Sequence, residues 1–302
     1  MSIASEIQAL NTNLTSAKNA VTAKGGTVGD TGLAGLADEI ASIPSGGEVP
    51  STFGKVSHYV DGEKIEYTLA SYADFLWLCD NNSNSRNLGG TTVLKGWIEE
   101  IEIADGVTSI PDGFCKSYFG SHLNKVILPD SIVFIGNDFL YNVTGNQRLN
   151  SQLNLKNVHY IGENFLYNQT YYNQPIIMPN ILGINRYFLL HCSSFNSEVD
   201  LGDKCSYIGF SFMRELPAFA QTITIPQSVT EVGTYFLYNT KNVTSIVCNS
   251  SVSPTDNNSL STTDTSAPMY DTGITLTGTH ASDWKTALPD STSSPYRKLI
   301  LG

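Results

Sequence analysis

Along the second half of the chain, apolar residues recur at a nearly fixed spacing. Six times an Ile or Val is followed four positions later by a Phe, and the intervals between these Phe residues are 25, 26, 23, 24 and 24. A repeat in the twenties is typical of a solenoid, in which each unit buries its apolar face only against its neighbours. The pattern predicts six repeats with a shared core formed by Phe114, Phe139, Phe165, Phe188, Phe212 and Phe236.

Each repeat opens with a short apolar segment that predicts a β-strand. Proline follows three of these segments, at Pro129, Pro179 and Pro226, where it ends a strand because it has no amide hydrogen to donate. A glycine after the Ile, as in Ile135-Gly136, predicts a bend that a Cβ atom would hinder. The predicted strands are Ile101–Ile103, Val126–Leu128, Leu153–Leu155, Ile176–Met178, Val199–Leu201 and Ile223–Ile225.

Different patterns flank the repeats, which occupy residues 97–249. In residues 51–96, two alternating segments joined by Asp61-Gly62 predict a β-hairpin, and Ser71 followed by Asp74 predicts the start of a helix. We expect this part to cap the first repeat, because the apolar end of a solenoid is otherwise exposed. Residues 250–302 are predicted to form the other cap, with Trp284 and Tyr296 as its bulkiest anchors.

The first fifty residues have the spacing of an amphipathic helix that ends near Gly25-Gly26, followed by a second short helix. Its apolar stripe has heptad-like steps of four and three. Two arrangements satisfy this stripe: a helical hairpin within one chain, or a parallel bundle that joins several copies into a homo-oligomer, for which we favour a trimer. The stripe consists of Ile3, Ile7, Leu10, Leu14, Ala17 and Val21.

Composition and charge narrow the classes of function. Apolar residues make up 41% of the chain, charged residues only 15%, and the formal net charge is -11. A negative chain without clusters of Lys and Arg argues against nucleic-acid binding, which requires them. We find no signal peptide and no apolar run long enough to span a membrane. The five cysteines lack metal-binding spacing and are predicted to be small buried residues.

The repeat resembles the BspA-like, treponemal-type leucine-rich repeat, whose consensus is a strand, Pro-x-x-Val, x-x-Ile-Gly and x-x-Phe. The segment Ile223-Thr-Ile-Pro-Gln-Ser-Val-Thr-Glu-Val-Gly-Thr-Tyr-Phe236 carries it closely, whereas Asn185 replaces the Gly of the fourth repeat and Lys156 the Pro of the third. The resemblance implies surface display and adhesion. The predicted fold class is therefore α+β and β-rich: a leucine-rich-repeat-like solenoid with an N-terminal coiled-coil-like anchor and small caps at both ends.

The first fifty residues resemble the helical anchor of phage tail and baseplate proteins, in Met1-Ser-Ile-Ala-Ser-Glu-Ile7 and Ala23-Lys-Gly-Gly26. Our leading hypothesis is a structural virion protein (tail fibre, baseplate or head fibre) exposed on the particle. Residues 1–50 would bind other virion proteins. The repeats would bind a host-surface glycan or protein, or a neighbouring virion protein, by many weak contacts. The alternatives are a bacterial cell-surface adhesin and a tail-associated glycan hydrolase.

The sequence offers little catalytic chemistry, and we predict no catalytic residue, no cofactor and no metal site. The five histidines are scattered, and no nucleophile elbow or phosphate-binding loop is present. A glycan hydrolase needs two carboxyl groups, one with a raised pKa. Glu99, Glu100 and Glu102 are the acidic cluster that this alternative would use.

A row of tyrosines is the main candidate contact surface. In three repeats a Tyr follows the core Phe by two positions and precedes an Asn, so that stacked repeats would align Tyr141 with Tyr167. Such a row could bind glycans or protein. The competing interpretation, which we favour, is that the rings only cover the flank of the solenoid. The candidate residues are Tyr141, Tyr167, Tyr171, Tyr172 and Tyr238.

Overall fold

The computed structural model describes residues 50–117, 122–143, 149, 151–254, 258–261, 273–288 and 297–302. In this part the chain is a β-rich solenoid of stacked coils with two short α-helices, one near each end. The predicted β-rich, repeat-type solenoid is thereby confirmed. The predicted N-terminal anchor, with its stripe of Ile3, Ile7, Leu10, Leu14, Ala17 and Val21, lies outside the described residues.

The N-terminal end consists of two hairpins and a helix. Asp61 and Gly62, both with positive φ, form the turn of the first hairpin. Ser71 caps the helix: its side chain accepts from the Asp74 amide, and the Asp74 carboxylate accepts from the Ser71 amide at 3.0 Å. The elements are β1 (Gly54–Val60), β2 (Glu63–Thr68), α1 (Tyr72–Trp77), β3 (Ser85–Leu88), β4 (Thr91–Leu94) and a 3-10 helix (Lys95–Trp97).

One row of strands follows the predicted apolar segments. The strands are β5 (Glu100–Ile103), β7 (Lys125–Ile127), β10 (Ile176–Ile177), β12 (Val199–Asp200), β14 (Ile223–Ile225), β16 (Ser245–Cys248), β17 (Ile274–Thr277) and β18 (Leu299–Leu301). They pair in parallel within three groups, β5 with β7, β10 with β12, and β14 with β16, β17 and β18 in that order, and β1 starts the row by pairing antiparallel with β5.

A second row of strands lies where the sequence predicted only bends. Six strands of two residues form one parallel sheet in the order β15-β13-β11-β9-β8-β6. Two residues are too short for a recognisable alternation of apolar and polar positions, and this is why the pattern missed them. The strands are β6 (Ser109–Ile110), β8 (Phe134–Ile135), β9 (Tyr160–Ile161), β11 (Gly183–Ile184), β13 (Tyr207–Ile208) and β15 (Glu231–Val232).

The strand predicted at Leu153–Leu155 is not formed. Both leucines are buried, but side chains take over part of the pairing at this coil. The hydroxyl of Ser151 accepts from the Val126 amide at 3.2 Å, and the side-chain amide of Asn154 donates to the Leu128 carbonyl at 3.2 Å. The first row is therefore interrupted between β7 and β10. A second interruption lies between β12 and β14.

The six predicted Phe rings stack face to face in the interior. Neighbouring ring centroids are 5.3–5.6 Å apart with interplanar angles of 6–8°, and none of the rings is more than 1% exposed. Phe75 of α1 covers the first ring at 6.2 Å, and Trp284 meets the last one edge-on at 5.9 Å. Trp284 belongs to α2 (Ala281–Ala287), so both ends of this Phe ladder are closed.

A second aromatic row runs through the interior of three coils. Tyr172, Phe195 and Phe219 stack with centroid distances of 6.5 and 6.0 Å, and each is at most 1% exposed. This corrects one prediction: Tyr172 is a core residue and not part of a contact surface. Burial raises the pKa of its hydroxyl.

The turn around each core Phe has an alternating backbone. The residues one before, one after and three after the Phe have positive φ, as at Asn164, Leu166 and Asn168. Their amides donate alternately to the next and the previous coil: Asn164 to Arg186, Leu166 to Phe139 and Asn168 to Leu190. Asn adopts positive φ more readily than most residues, which gives the Asn of the Phe-Leu-Tyr-Asn segments a structural role.

In four of the six repeats a glycine follows the Ile or Val and lets neighbouring coils approach. A Cβ at Gly209 would lie 2.6 Å from the backbone carbon of Asn185, closer than real Cβ contacts. In the fourth repeat Asn185 itself occupies this position, and its amide lies 3.3 Å from the Ile161 carbonyl oxygen, against 2.9 Å for Gly162 and Gly209. Where Asn replaces the glycine, the hydrogen bond between the two coils is thus longer.

Candidate functional site

The residues two and three positions after each core Phe form one lateral surface, which we call the turn face. Because the coils are in register, equivalent positions on successive coils become neighbours, about 4.8 Å apart. The first position contributes Lys116, Tyr141, Tyr167, Leu190, Arg214 and Tyr238, and the second contributes Ser117, Asn142, Asn168, His191, Glu215 and Asn239.

Tyr141 and Tyr167 are the aromatic centre of the turn face. Both are half-buried, and their rings stack with centroids 4.7 Å apart. Lys116 Nζ lies 4.9 Å from the centroid of the Tyr141 ring, and the His191 ring meets Tyr167 edge-on at 5.6 Å. The Tyr167 hydroxyl is protonated at neutral pH, as tyrosine ordinarily is, and can donate as well as accept hydrogen bonds; burial raises its pKa further.

Tyr238 lies at the far end of the same face. Leu190 is buried at the coil after Tyr167, and Arg214 follows on the next coil. The Arg214 guanidinium lies 4.9 Å from the Tyr238 ring centroid and 5.0 Å from that of Tyr235. The tyrosine row is therefore continuous only between Tyr141 and Tyr167, and a cation separates it from Tyr238.

A groove runs beside this row across four coils. Its volume is about 640 Å³, and side chains line it from Tyr167 at one end to Asn239 and Lys241 at the other. At its centre the Glu215 carboxylate accepts from Arg214 Nε at 2.9 Å and lies 3.0 Å from His191 Nδ1. The sequence analysis missed His191, Arg214 and Glu215, although all three occupy the same repeat positions as the tyrosine and asparagine row.

Tyr171 lies outside the row. Its side chain is 43% exposed, and it follows Thr170, which lines the groove. The structure thus brings Tyr141 and Tyr167 together, leaves Tyr171 and Tyr238 apart from them, and buries Tyr172.

The acidic cluster of Glu99, Glu100 and Glu102 is held by hydrogen bonds and ion pairs, and the pKa of Glu100 is not shifted toward that of a general acid. Burial alone raises the pKa of Glu100, but hydrogen bonds from Lys64 at 2.9 Å and Tyr59 at 3.0 Å outweigh it, and the net shift is downward. Glu102 lies 3.3 Å from Lys55. Glu99 accepts from the Tyr59 amide at 2.9 Å. A general acid needs the opposite shift.

The cysteines have the character of core residues. All five thiols are free; Cys115, Cys192, Cys205 and Cys248 are buried, and Cys79 is partly buried. Burial raises the pKa of Cys205 to about 11, which leaves little reactive thiolate at neutral pH. Within the residues that the structure describes, no group of three or more His, Cys, Asp or Glu could hold a metal ion.

None of the helices in the described part of the chain has the length and apolarity that crossing a bilayer requires.

Comparisons with known proteins give one family. The model of the BspA type leucine rich repeat region matches six copies, over residues 95–215 and 184–281, which together cover more than half of the 302 residues. The crystal structure of the T. pallidum leucine rich repeat protein (TpLRR) is 15% identical, with a TM-score of 0.31, over 49% of this chain. The chain covers 64% of that protein, less than two thirds of its length. None of the curated proteins matches the chain.

Proposed function

Because the chain belongs to the BspA type leucine-rich repeat family, we propose that its solenoid is a binding module that presents the turn face to a partner on a cell surface. The observation that carries this proposal is the stacked pair of Tyr141 and Tyr167, half-exposed and bordered by a groove. Stacked tyrosines offer a rigid contact area with a polar tip, and binding them costs little side-chain entropy. The proposed action is binding without chemistry and without a cofactor.

Several contacts fix this surface before a partner arrives. Lys116 lies over the Tyr141 ring while its ammonium pairs with the Asp138 carboxylate at 2.6 Å. On the adjacent coils, the side-chain oxygen of Asn142 accepts a hydrogen bond from the side-chain amide of Asn168 at 2.6 Å. Preorganised side chains lose less freedom on binding. The arrangement therefore supports recognition in addition to covering the flank.

The binding role predicts a loss of attachment in a double variant. Replacing Tyr141 and Tyr167 together by Ala should weaken binding of the full chain to host envelope preparations by about tenfold or more, as for interface hot spots. Binding can be measured by biolayer interferometry on immobilised envelopes.

The matched control is Tyr160→Ala. Tyr160 stacks on Phe134 at 5.2 Å in the same two coils, but on the strand side of the solenoid. It should leave attachment unchanged. Equal attachment by the double variant and the unmodified chain, with all variants folded, would contradict the proposal.

We further propose that the carrier is a phage particle, on which residues 1–50 bind other virion proteins and assemble the chain as a homo-oligomer. The support is the resemblance of that segment to virion anchors. A bacterial cell-surface adhesin is the second candidate, favoured by the family match, which begins at residue 95.

Immunogold labelling separates the two carriers. An antibody against the full chain should label particles purified from a lysate of the source culture. Label found only on intact cells would contradict the virion protein and support the cell-surface adhesin. Label on neither would contradict surface display itself.

A further inference from the structure

The groove beside Tyr167 crosses the coils in the direction of the solenoid axis. Its lining includes the equivalent positions of four successive coils, Asn168, His191, Glu215 and Asn239, and Tyr167 lies beside the first of them. With a coil spacing of about 4.8 Å, these four positions span about 15 Å. A sugar unit in an extended polysaccharide has a length close to one coil spacing. A linear chain could therefore present one unit to each coil.

The chemistry of the lining fits uncharged hydroxyl groups. The side chains include an aromatic ring, an imidazole, a hydroxyl, an amide and one charge of each sign, at Tyr167, His191, Ser193, Asn239, Glu215 and Lys241. Glu215 is already neutralised by Arg214 at 2.8 Å. Lys241 is then the remaining cation of the lining. The groove thus has no cluster of Lys and Arg for an acidic polymer, while it offers both donors and acceptors along its length.

The backbone in this region disfavours an extended peptide as the occupant. Peptides that add to a sheet need unused amides at an edge. Here the amides of His191, Glu215 and Asn239 already donate to the carbonyls of Arg214, Tyr238 and Ser261 on the next coil, at 3.3, 2.8 and 2.7 Å. Recognition must come from side chains, which is how proteins commonly bind hydroxyl-rich ligands.

From the axial direction, the coil spacing and the lining, we propose that the groove binds a linear neutral polysaccharide, with about one sugar unit per coil. This inference rests on the proposed function and names its ligand class. The outer edge and hydroxyl of Tyr167, whose ring stacks on Tyr141, would contact one sugar unit, and the His191–Glu215 pair would hydrogen-bond to the hydroxyl groups of the units that follow.

The test uses the full chain and defined oligosaccharides of β-1,4-glucose, α-1,4-glucose, β-1,4-mannose and β-1,4-N-acetylglucosamine, from two to six units, in isothermal titration calorimetry. At least one series should bind, with affinity rising up to four units and then levelling off. Absence of binding by every series, or affinity independent of length below four units, would overturn the inference.

Two tryptophan variants locate the site. Ser193→Trp places a bulky ring in the groove and should reduce affinity for the best hexasaccharide at least tenfold. Ser206→Trp is matched, because each serine is exposed and donates from its hydroxyl to a carbonyl of the preceding coil. The Ser206→Trp variant should bind the hexasaccharide with the affinity of the unmodified chain. Unchanged affinity in Ser193→Trp would place the ligand elsewhere and refute the proposal.

A third variant, Lys241→Ala, tests the groove if Ser193→Trp does not fold. Lys241→Ala removes a lining side chain at the end of the groove and should weaken hexasaccharide binding several-fold; unchanged binding counts against the groove. If envelope attachment depends on Tyr141 and Tyr167 while no oligosaccharide binds, this inference fails and the proposed binding function stands.

Discussion

Replacing Phe165 by Ala is expected to lower the free energy of unfolding by about 3–5 kcal/mol. Its ring is fully buried and stacks at 5.3 Å on both Phe139 and Phe188, in the middle of the ladder. The alanine leaves a cavity that the rigid register of the coils cannot close, since each coil is held to its neighbours by backbone hydrogen bonds on both sides. Urea denaturation followed by circular dichroism measures the loss.

The control for this prediction is Phe134→Ala. Phe134 is also a stacked phenylalanine, at 5.2 Å from Tyr160, but it faces outward from β8 and is only half-buried. Its removal should cost clearly less, about 1 kcal/mol, by the area it shields from water. If both variants lose the same stability, the inner ladder has no special part in holding the coils together.

Replacing Trp284 by Ala is expected to cost a similar amount, about 3–5 kcal/mol, but to act from the C-terminal end. The indole is fully buried, closes the ladder at Phe236 and donates from Nε1 to the Ser250 carbonyl at 2.9 Å. In a solenoid each coil contacts only its neighbours, so loss of a cap exposes the last coil first.

Hydrogen exchange distinguishes this local effect from global unfolding. In Trp284→Ala the amides of β14 and β16 should lose protection before those of β8 and β9. The control is Trp97→Ala, since Trp97 is 49% exposed at the opposite end, and its removal should leave the melting curve nearly unchanged. Uniform loss of protection in Trp284→Ala would contradict the capping role.

The positions of the ladder rings could be predicted because they depend on one period alone. The same period connects Tyr172, Phe195 and Phe219, at steps of 23 and 24 residues. That signal was present but was hidden by the adjacent Tyr171, which made the two tyrosines look like one surface patch. Whether these three rings face the interior depends on how the backbone of each coil turns, and the spacing of residues in the sequence does not determine that.

The groove could not be predicted for a different reason. Between Asn168 and Asn239 the equivalent positions hold His191 and Glu215, so the side chains of the groove share no single motif that marks the site. Only the alignment of equivalent positions on successive coils brings them together. The Asn of the Phe-Leu-Tyr-Asn segments shows the converse: it repeats because the backbone there has positive φ, and a ligand is not needed to explain it.

Hydroxyl-radical footprinting of the full chain, with and without bound envelope material, tests most directly whether the turn face is the binding surface. Oxidation of Tyr141 and Tyr167 should fall on binding, while that of Tyr59, which is 41% exposed in the N-terminal hairpin, should not change. Protection of Tyr59 with continued oxidation of Tyr141 and Tyr167 would place the partner at the N-terminal end and contradict the account.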